Sequence, residues 1–328
     1  MNMSVKIKWG IIGLGGIAHK FANDLNLVDN AEIVAVASRN IDKAKEFSEQ
    51  YGSKFAFGSY EELFMCNEVD VIYIATPHTS HKAWSIKAMN HGRHVLCEKP
   101  MGIKREDIEE MISVAARNGV FLMEALWSRF NPTIQKVKAL IDNGKIGDLG
   151  YLHADFAFYA LDRPEEGRLL NPNLGGGSLL DIGIYPIFLS YLLLGKPDKI
   201  QSSSKFYKTG VEVQTAMIFD YPNAKSILYS GLTSKSKMEA EISGSRGSIF
   251  IDPQWHSAKG FSLEQDGETE HFDLPTLGNG YTYEIEEVNR CLQGGKLESD
   301  LWSHQNSLDL AELMDTIRTQ NSIAFPFE

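Results

Sequence analysis

The stretch that most constrains this chain starts in an apolar, β-branched run over residues 5–12 and ends in Gly13-Leu14-Gly15-Gly16-Ile17-Ala18. A strand pattern that runs into G-x-G-x-x-A and then into a helical pattern (19–27) is the signature of a turn that binds a dinucleotide. Each small residue has its own task. Gly13 permits the tight turn, Gly15 lets the backbone approach a pyrophosphate, and Ala18 is small enough for the helix to pack on the strand. The backbone N–H groups of Gly16 and Ile17, opening that helix, then face the phosphates. A glycine turn in some other α/β fold is the competing reading. The flanking strand and helix patterns, with another apolar strand at 32–37, favour the dinucleotide site.

Strand and helix patterns alternate through residue 125. Helical stretches at 42–50, 60–66, 81–90 and 107–118 separate apolar runs at 55–57, 69–75, 94–97 and 120–124. The continuous apolar character of 69–75 suits a buried parallel strand, and the alternation as a whole predicts a doubly wound parallel sheet. The rhythm then changes. After a helix at 132–142, strand-like runs follow at 151–159, 199–207, 212–220, 226–233, 237–242 and 248–251. Short turns join them, such as Pro222-Asn223 and Gly244-Ser245, which predicts a mostly antiparallel sheet. A helix at 179–194 is apolar nearly all round, hence buried, with Pro186 expected to kink it. Helices at 283–292 and 307–319 close the chain. The expected division is an N-terminal α/β domain over 1–125 and a C-terminal α+β domain over 126–328.

A chain of 328 residues allows two such cores. No apolar run is expected to span a membrane, and the N-terminus lacks a basic-then-apolar secretory pattern. Cys66, Cys97 and Cys291 form neither a disulfide framework nor a spaced metal cluster, so a reducing cytoplasm is the expected compartment. The net charge of -11 disfavours a nucleic-acid surface but leaves room for one basic pocket.

Ligands of an open α/β sheet lie beyond the C-terminal ends of its strands. Four loops qualify: 13–18, 38–40, 76–81 and 98–100. The second chooses the cofactor. An NAD site usually carries a carboxylate there for the ribose hydroxyls, whereas this strand ends in Ser38-Arg39 with none before Asp42. A guanidinium forks onto a phosphate and Ser38 can donate to it, so NADP(H) is expected over NAD(H). Thr76, Pro77, His78, His81, Glu98 and Lys99 supply the other two loops. The paired histidines are read as capping their loop or bordering the nicotinamide, and no metal motif is present. Lys99 can orient a hydroxyl and bias its proton transfer. Cys97, in an apolar strand, reads as an inert thiol.

The remaining chemistry lies in Gly175-Gly176-Gly177-Ser178-Leu179-Leu180-Asp181-Ile182-Gly183-Ile184-Tyr185. Asp181 and Tyr185, four apart, share a helix face in a very apolar segment, which favours use in a cleft over solvation. A tyrosine hydroxyl beside a cation can act as acid/base toward an alcohol or carbonyl. Trp127, Arg129, Phe158 and Trp255 are the pocket candidates, aromatic faces for a sugar or cyclic diol and a guanidinium for its polar groups. For Trp255, core packing weighs equally.

The ordered set G-x-G-x-x-A, Thr76-Pro77-x-x-x-His81, Glu98-Lys99-Pro100 and G-G-G-x-L-L-D-x-G-x-Y resembles the glucose–fructose oxidoreductase/inositol dehydrogenase (Gfo/Idh/MocA) family over nearly the whole chain. Met123-Glu124-Ala125-Leu126-Trp127-Ser128-Arg129-Phe130 and Tyr283-Glu284-Ile285-Glu286-Glu287-Val288 are similar to its dimeric dihydrodiol dehydrogenase/NADP-dependent D-xylose 1-dehydrogenase branch. The resemblance implies a Rossmann domain followed by a domain whose open sheet forms a homodimer interface. It also implies that Lys99 and Tyr185 meet the substrate beside the nicotinamide, with Asp181 assisting. Many members carry histidine where this chain has Tyr185, so the histidine mechanism of inositol dehydrogenases does not carry over. The implied reaction is hydride transfer between NADP and a carbinol carbon of an aldose or cyclic trans-diol. The alternatives are a cyclitol or keto-sugar dehydrogenase or reductase, and a non-catalytic NADP-binding regulator or assembly partner. The joint presence of Lys99, Asp181 and Tyr185 argues against the non-catalytic readings, since binding alone needs none of them.

Overall fold

The computed structural model describes residues 6–328; Val5, where the expected first strand begins, lies outside them. In chain order the first elements are β1 (Ile7–Ile12), α1 (Gly16–Leu25), β2 (Ala31–Ala37), α2 (Ile41–Tyr51), β3 (Phe55–Phe57), α3 (Tyr60–Phe64), β4 (Val71–Ile74), α4 (His81–Asn90), β5 (His94–Glu98), α5 (Arg105–Asn118) and β6 (Leu122–Ala125). They are followed by α6 (Pro132–Asp142), β7 (Leu149–Ala157), α7 (Ile184–Leu194), β8 (Lys199–Phe206), β9 (Glu212–Asp220), β10 (Lys225–Gly231), β11 (Ala240–Gly244), β12 (Gly247–Ile251), β13 (Gly260–Gln265), β14 (Glu268–Asp273), α8 (Thr282–Gln293) and α9 (His304–Gln320).

The chain forms two compact units. One takes residues up to Trp127 together with Leu277–Leu308, and the other takes Ser128–Thr276 and Asp309–Glu328. The boundary after Trp127 lies two residues beyond the expected 125, but the C-terminal part is not contiguous as expected: 277–308 returns to the first unit. Buried polar groups explain the return. Asp24, fully buried on α1, accepts from the backbone N–H groups of Asn279 and Tyr281 at 2.8–2.9 Å. The indole of Trp9 on β1 donates to Asn289 on α8 at 3.1 Å, and Leu122 N–H donates to the Leu297 carbonyl. Burying these groups without partners would cost on the order of 1–3 kcal/mol each.

The first unit holds a six-stranded sheet in the order β3-β2-β1-β4-β5-β6, every pairing parallel. Strand order reverses between β1 and β4, the place where a doubly wound sheet opens a ligand crevice. Strands β4 and β6 are buried at every position, as the apolar runs require.

The second unit holds an eight-stranded sheet in the order β14-β13-β12-β11-β7-β10-β9-β8, antiparallel throughout except for β7 with β10. Its last hairpin, β13–β14, was not expected from the sequence. Asp266 and Gly267 at its turn both have positive φ, 56° and 81°, the mirror-image turn that suits twisted strands.

The expected helix over 179–194 divides. Leu179–Gly183 forms a π turn and α7 follows without a break. Pro186 has no N–H to bond back to Ile182, so widening the preceding turn relieves the missing bond. Among the described residues, the helical stretch Pro172–Leu194, 23 residues with mean hydropathy 1.6, is long and apolar enough to cross a membrane. The expectation that no run reaches that length is therefore corrected. The protein buries 72% of the stretch's most apolar window, which makes it a core helix.

Candidate active site

The glycine turn joins β1 to α1. Gly13 has φ +79°, and a Cβ there would stand 2.5 Å from the backbone of Ala75. No other residue fits. Gly15, the N-cap of α1, differs: a Cβ would meet only the Gly13 carbonyl oxygen at 3.8 Å, and at Gly16 it would meet nothing within 4 Å. The protein itself does not require glycine at these two positions. Open space beside the first N–H groups of α1 is what a pyrophosphate needs, so these residues fit the dinucleotide. Half-buried Ile17 and fully buried Ala18 seat the helix.

At the end of β2, Ser38 is buried and its hydroxyl accepts from Asn40 N–H at 3.2 Å. Asn40 caps α2 by accepting from Asp42 and Lys43 N–H. Arg39, exposed between them, lies beside that helix start. The position combines a guanidinium with the positive end of α2, suited to a phosphate.

The loops after β4 and β5 are tied together by His81. Its ring is fully buried, with Nδ1 2.8 Å from the Pro100 carbonyl oxygen and Nε2 2.8 Å from that of Thr76. Burial holds its pKa below the usual imidazole range, against the two carbonyls. His81 was expected to cap its loop or border the nicotinamide; enclosed in this way, it ties the two loops together. His78, also buried, has its ring 5.7 Å from that of His81, while Pro77 is exposed and the hydroxyl of Thr76 is buried. Glu98 is likewise turned inward. Its carboxylate accepts from Tyr73 OH and, at 3.1 Å, from Lys99 N–H. Behind the loop, Glu124 accepts from Met101 N–H (2.9 Å), Ser307 Oγ (2.7 Å) and Trp302 Nε1 (3.2 Å). Lys99 thus sits half-buried on a loop whose backbone is held on both sides. Burial pushes the Cys97 thiol far up, which keeps it inert. Trp127 packs its ring 5.0 Å from that of Tyr281.

In the second unit, Asp181 and Tyr185 lie one turn apart where the π turn meets α7, and both are buried. Asp181 receives Arg168 in a two-pronged ion pair at 2.6 and 3.2 Å. The Tyr185 ring lies 5.4 Å from both Phe156 and His256, which stack on each other at 4.3 Å. Half-buried Phe158 extends this wall, with Arg163 over its ring at 5.1 Å. Arg129 is buried and donates to Gln135 at 3.2 Å. Trp255, expected as a pocket candidate, is a core residue: it is 0% exposed and its indole N–H donates to the Asp155 carbonyl at 2.9 Å. Its neighbour His256 is the one beside Tyr185. Phe156, His256, Arg168 and Glu124 were all missed from the sequence.

Glu212 on β9 explains one glycine of the triple run. Its carboxylate accepts from Leu179 N–H at 2.5 Å, and a Cβ on Gly177 (φ +119°) would overlap it. Burial raises the Glu212 carboxyl to about 7, against the Leu179 N–H. A folded-state value above the ordinary 4.5 costs stability as pH rises from 4.5 to 7, and a constant amount beyond. Glu212→Gln keeps an acceptor and removes the charge. Its melting temperature should match wild type near pH 4 and rise above it progressively toward pH 7. Melting curves whose difference does not change with pH would contradict this.

The profile of the oxidoreductase family with an NAD-binding Rossmann fold, GFO/IDH/MocA, matches residues 7–126, and that of the GFO/IDH/MocA C-terminal domain matches 134–250. The chain is 35% identical to trans-1,2-dihydrobenzene-1,2-diol dehydrogenase of Mus musculus, over 98% of each chain. It belongs to the Gfo/Idh/MocA oxidoreductase family. The Homo sapiens enzyme of the same name is 33% identical, again over 98% of each. Among solved structures, KijD10, a 3-ketoreductase from Actinomadura kijaniata in complex with NADP and TDP-benzene, superposes with TM-score 0.86 at 27% identity, covering 96% of this chain and 98% of that one. Aldose–aldose oxidoreductase from Caulobacter crescentus, at 24% identity and TM-score 0.89 over 97% and 98%, shares the fold. This Gfo/Idh/MocA member is an NAD(P)-dependent dehydrogenase acting on CH–OH groups.

Proposed function

We propose that the enzyme interconverts a carbinol and a carbonyl on an aldose or cyclic trans-diol using NADP(H), with Tyr185 as acid/base and Lys99 and Asp181 assisting. The observation that carries this reading is the buried pair Asp181 and Tyr185 on one turn, walled by Phe156 and His256. Held by Gly13, Gly15, Gly16, Ser38 and Arg39, the cofactor supplies the hydride acceptor or donor. Tyr185 takes the proton from the substrate hydroxyl in oxidation and returns it in reduction. The Lys99 ammonium lowers the cost of the tyrosinate. Asp181, paired with Arg168, accepts a hydrogen bond without taking the proton. Similarity to the diol dehydrogenases favours a diol, and similarity to the 3-ketoreductase supports a second reading, a keto-sugar or cyclitol substrate. Turnover with NADP(H) across aldoses, cyclic trans-diols, dicarbonyls, keto sugars and cyclitols separates the two. No turnover on any of them would leave a cofactor-binding regulator.

The cofactor preference rests on Arg39. NADP(H) should bind at least tenfold more tightly than NAD(H), about 1.4 kcal/mol. Arg39→Ala should weaken NADP(H) much more than NAD(H), and equal losses in measured dissociation constants would refute its role.

The second-unit sheet supports a homodimer. On its open face Ile227 of β10 lies opposite Ile218 of β9, and the two stay 46% and 40% exposed. An exposed apolar pair on an open sheet is stabilised by cover, and a second copy can supply it. Sedimentation equilibrium should give a dimer at micromolar concentration; a stable monomer would rule this out. Three unpaired cysteines, two of them buried, fit a cytoplasmic setting.

A further inference from the structure

Glu284, in the first turn of α8, is 0% exposed, and neither oxygen of its carboxyl group has a hydrogen-bond partner among the described residues. Folded proteins seldom bury a polar group in this way, and an unpaired anion there would be the least favourable case. Its neighbours oppose the anion further. Every hydrogen bond to Asp24 on α1 comes from an N–H: the backbone of Asn279 and Tyr281 and the Asn279 side-chain amide, all at 2.8–2.9 Å. Glu98, at the end of β5, accepts from Tyr73 OH with one oxygen and from Lys99 N–H with the other. Both carboxylates are thus placed as ionised acceptors.

The charges that act on Glu284 are those of Glu98 and Asp24, both negative. Tyr73 on β4 and Tyr281 just before α8 are the phenols of the cluster. Burial and the Glu98 and Glu284 carboxyls keep Tyr73 a neutral donor. The positive end of α8 favours an anion at this turn. Burial and the two facing carboxylates outweigh it, and hold the Glu284 carboxyl well above the usual carboxylate range. Like charges enclosed together resolve the conflict by keeping a proton. We propose that Glu284 is protonated in the folded enzyme, and that this proton clasps the segment 277–308 to the first unit. Asp24 belongs to the helix that opens at the glycine turn, and Glu98 to the strand that leads into Lys99, so α8 docks where the two meet. Without the proton a third negative charge enters the cluster, and α8 opens before the rest of the fold. The folded state holds this proton and the opened state releases it. Docking is therefore strongest below the ordinary 4.5 and weakens as pH rises, until the enclosed group itself titrates.

Hydrogen exchange of the α8 amides tests the clasp. In wild type their protection factors should fall up to about tenfold per pH unit above about pH 5, the slope of a released proton. They should be nearly flat in Glu284→Gln, which keeps the shape and cannot ionise. Amides of β10, in the other unit, should differ little between the two proteins. Infrared difference spectra of wild type against Glu284→Gln at neutral pH should show the carbonyl stretch of a protonated carboxyl group. Glu284→Met removes the polar group at similar length and should give the same flat profile with a higher melting temperature, so it serves if the glutamine variant fails to fold. Equal pH slopes in wild type and variants, equal changes in α8 and β10, carboxylate bands alone in the infrared difference, or failure of both variants to fold would overturn the inference.

Discussion

Tyr185→Phe is expected to slow hydride transfer roughly 10²–10⁴-fold, the range for losing a positioned acid/base. Its fold and NADP(H) affinity should stay close to wild type. Tyr185 is buried and its ring packs 5.4 Å from Phe156 and from His256, contacts that phenylalanine keeps. The substitution therefore removes the hydroxyl and little volume. Lys99→Met should also cut turnover strongly. It should move the onset of oxidation to higher pH, because the proposed mechanism relies on the Lys99 ammonium to stabilise the tyrosinate. Asp181→Asn should be milder on the chemical step, since an orienting acceptor and not a base is changed. Single-turnover absorbance at 340 nm isolates this step from product release, which can mask it in steady state. Near-wild-type transient rates for Tyr185→Phe would remove the residue from the mechanism.

Gly13→Ala and Gly15→Ala should part company. At Gly13 a methyl group meets the Ala75 backbone at 2.5 Å in a conformation, φ +79°, that L-residues seldom adopt. Left-handed strain of about 1–2 kcal/mol and overpacking of about 1–3 kcal/mol add together there. The variant should lose several kcal/mol of stability and its cofactor affinity with it. At Gly15 the same methyl has only the Gly13 oxygen nearby, at 3.8 Å. Its stability should stay within about 1 kcal/mol of wild type, the ordinary cost of a mild substitution, while NADP(H) binding falls tenfold or more. Urea unfolding and fluorescence titration of NADPH read the two effects separately. Equal stability losses would mean that Gly15 serves the fold and not a ligand.

What could be read from the sequence was local. The glycine turn and the spans His81–Asn90, Pro132–Asp142 and Glu212–Asp220 follow from periodicity and turn chemistry within a few residues of chain. The β14 strand was missed because its positions are nearly all exposed, so no apolar alternation marks it. Asp266-Gly267 was the one signal there. The membership of 277–308 in the first unit depends on Asp24, Trp9 and Leu122 bonding to residues more than 150 positions away, which no window can register. In the site, Trp255 and His256 are adjacent in a short turn, and which of them faces Tyr185 is a matter of side-chain direction. Arg168 read as one more charged residue in a polar loop. Its place is fixed only once the carbonyls of 168–171 close on Gly176.

The central claim is that hydride passes directly between a carbinol carbon and the nicotinamide on this protein. Of the aldoses and diols tested, the fastest can be prepared with deuterium at its carbinol carbon and oxidised with NADP+. Nuclear magnetic resonance of the recovered cofactor should show one deuterium at nicotinamide C4, on one face only, and a primary isotope effect on the single-turnover rate. Deuterium released to solvent, with an unlabelled C4, would contradict the account.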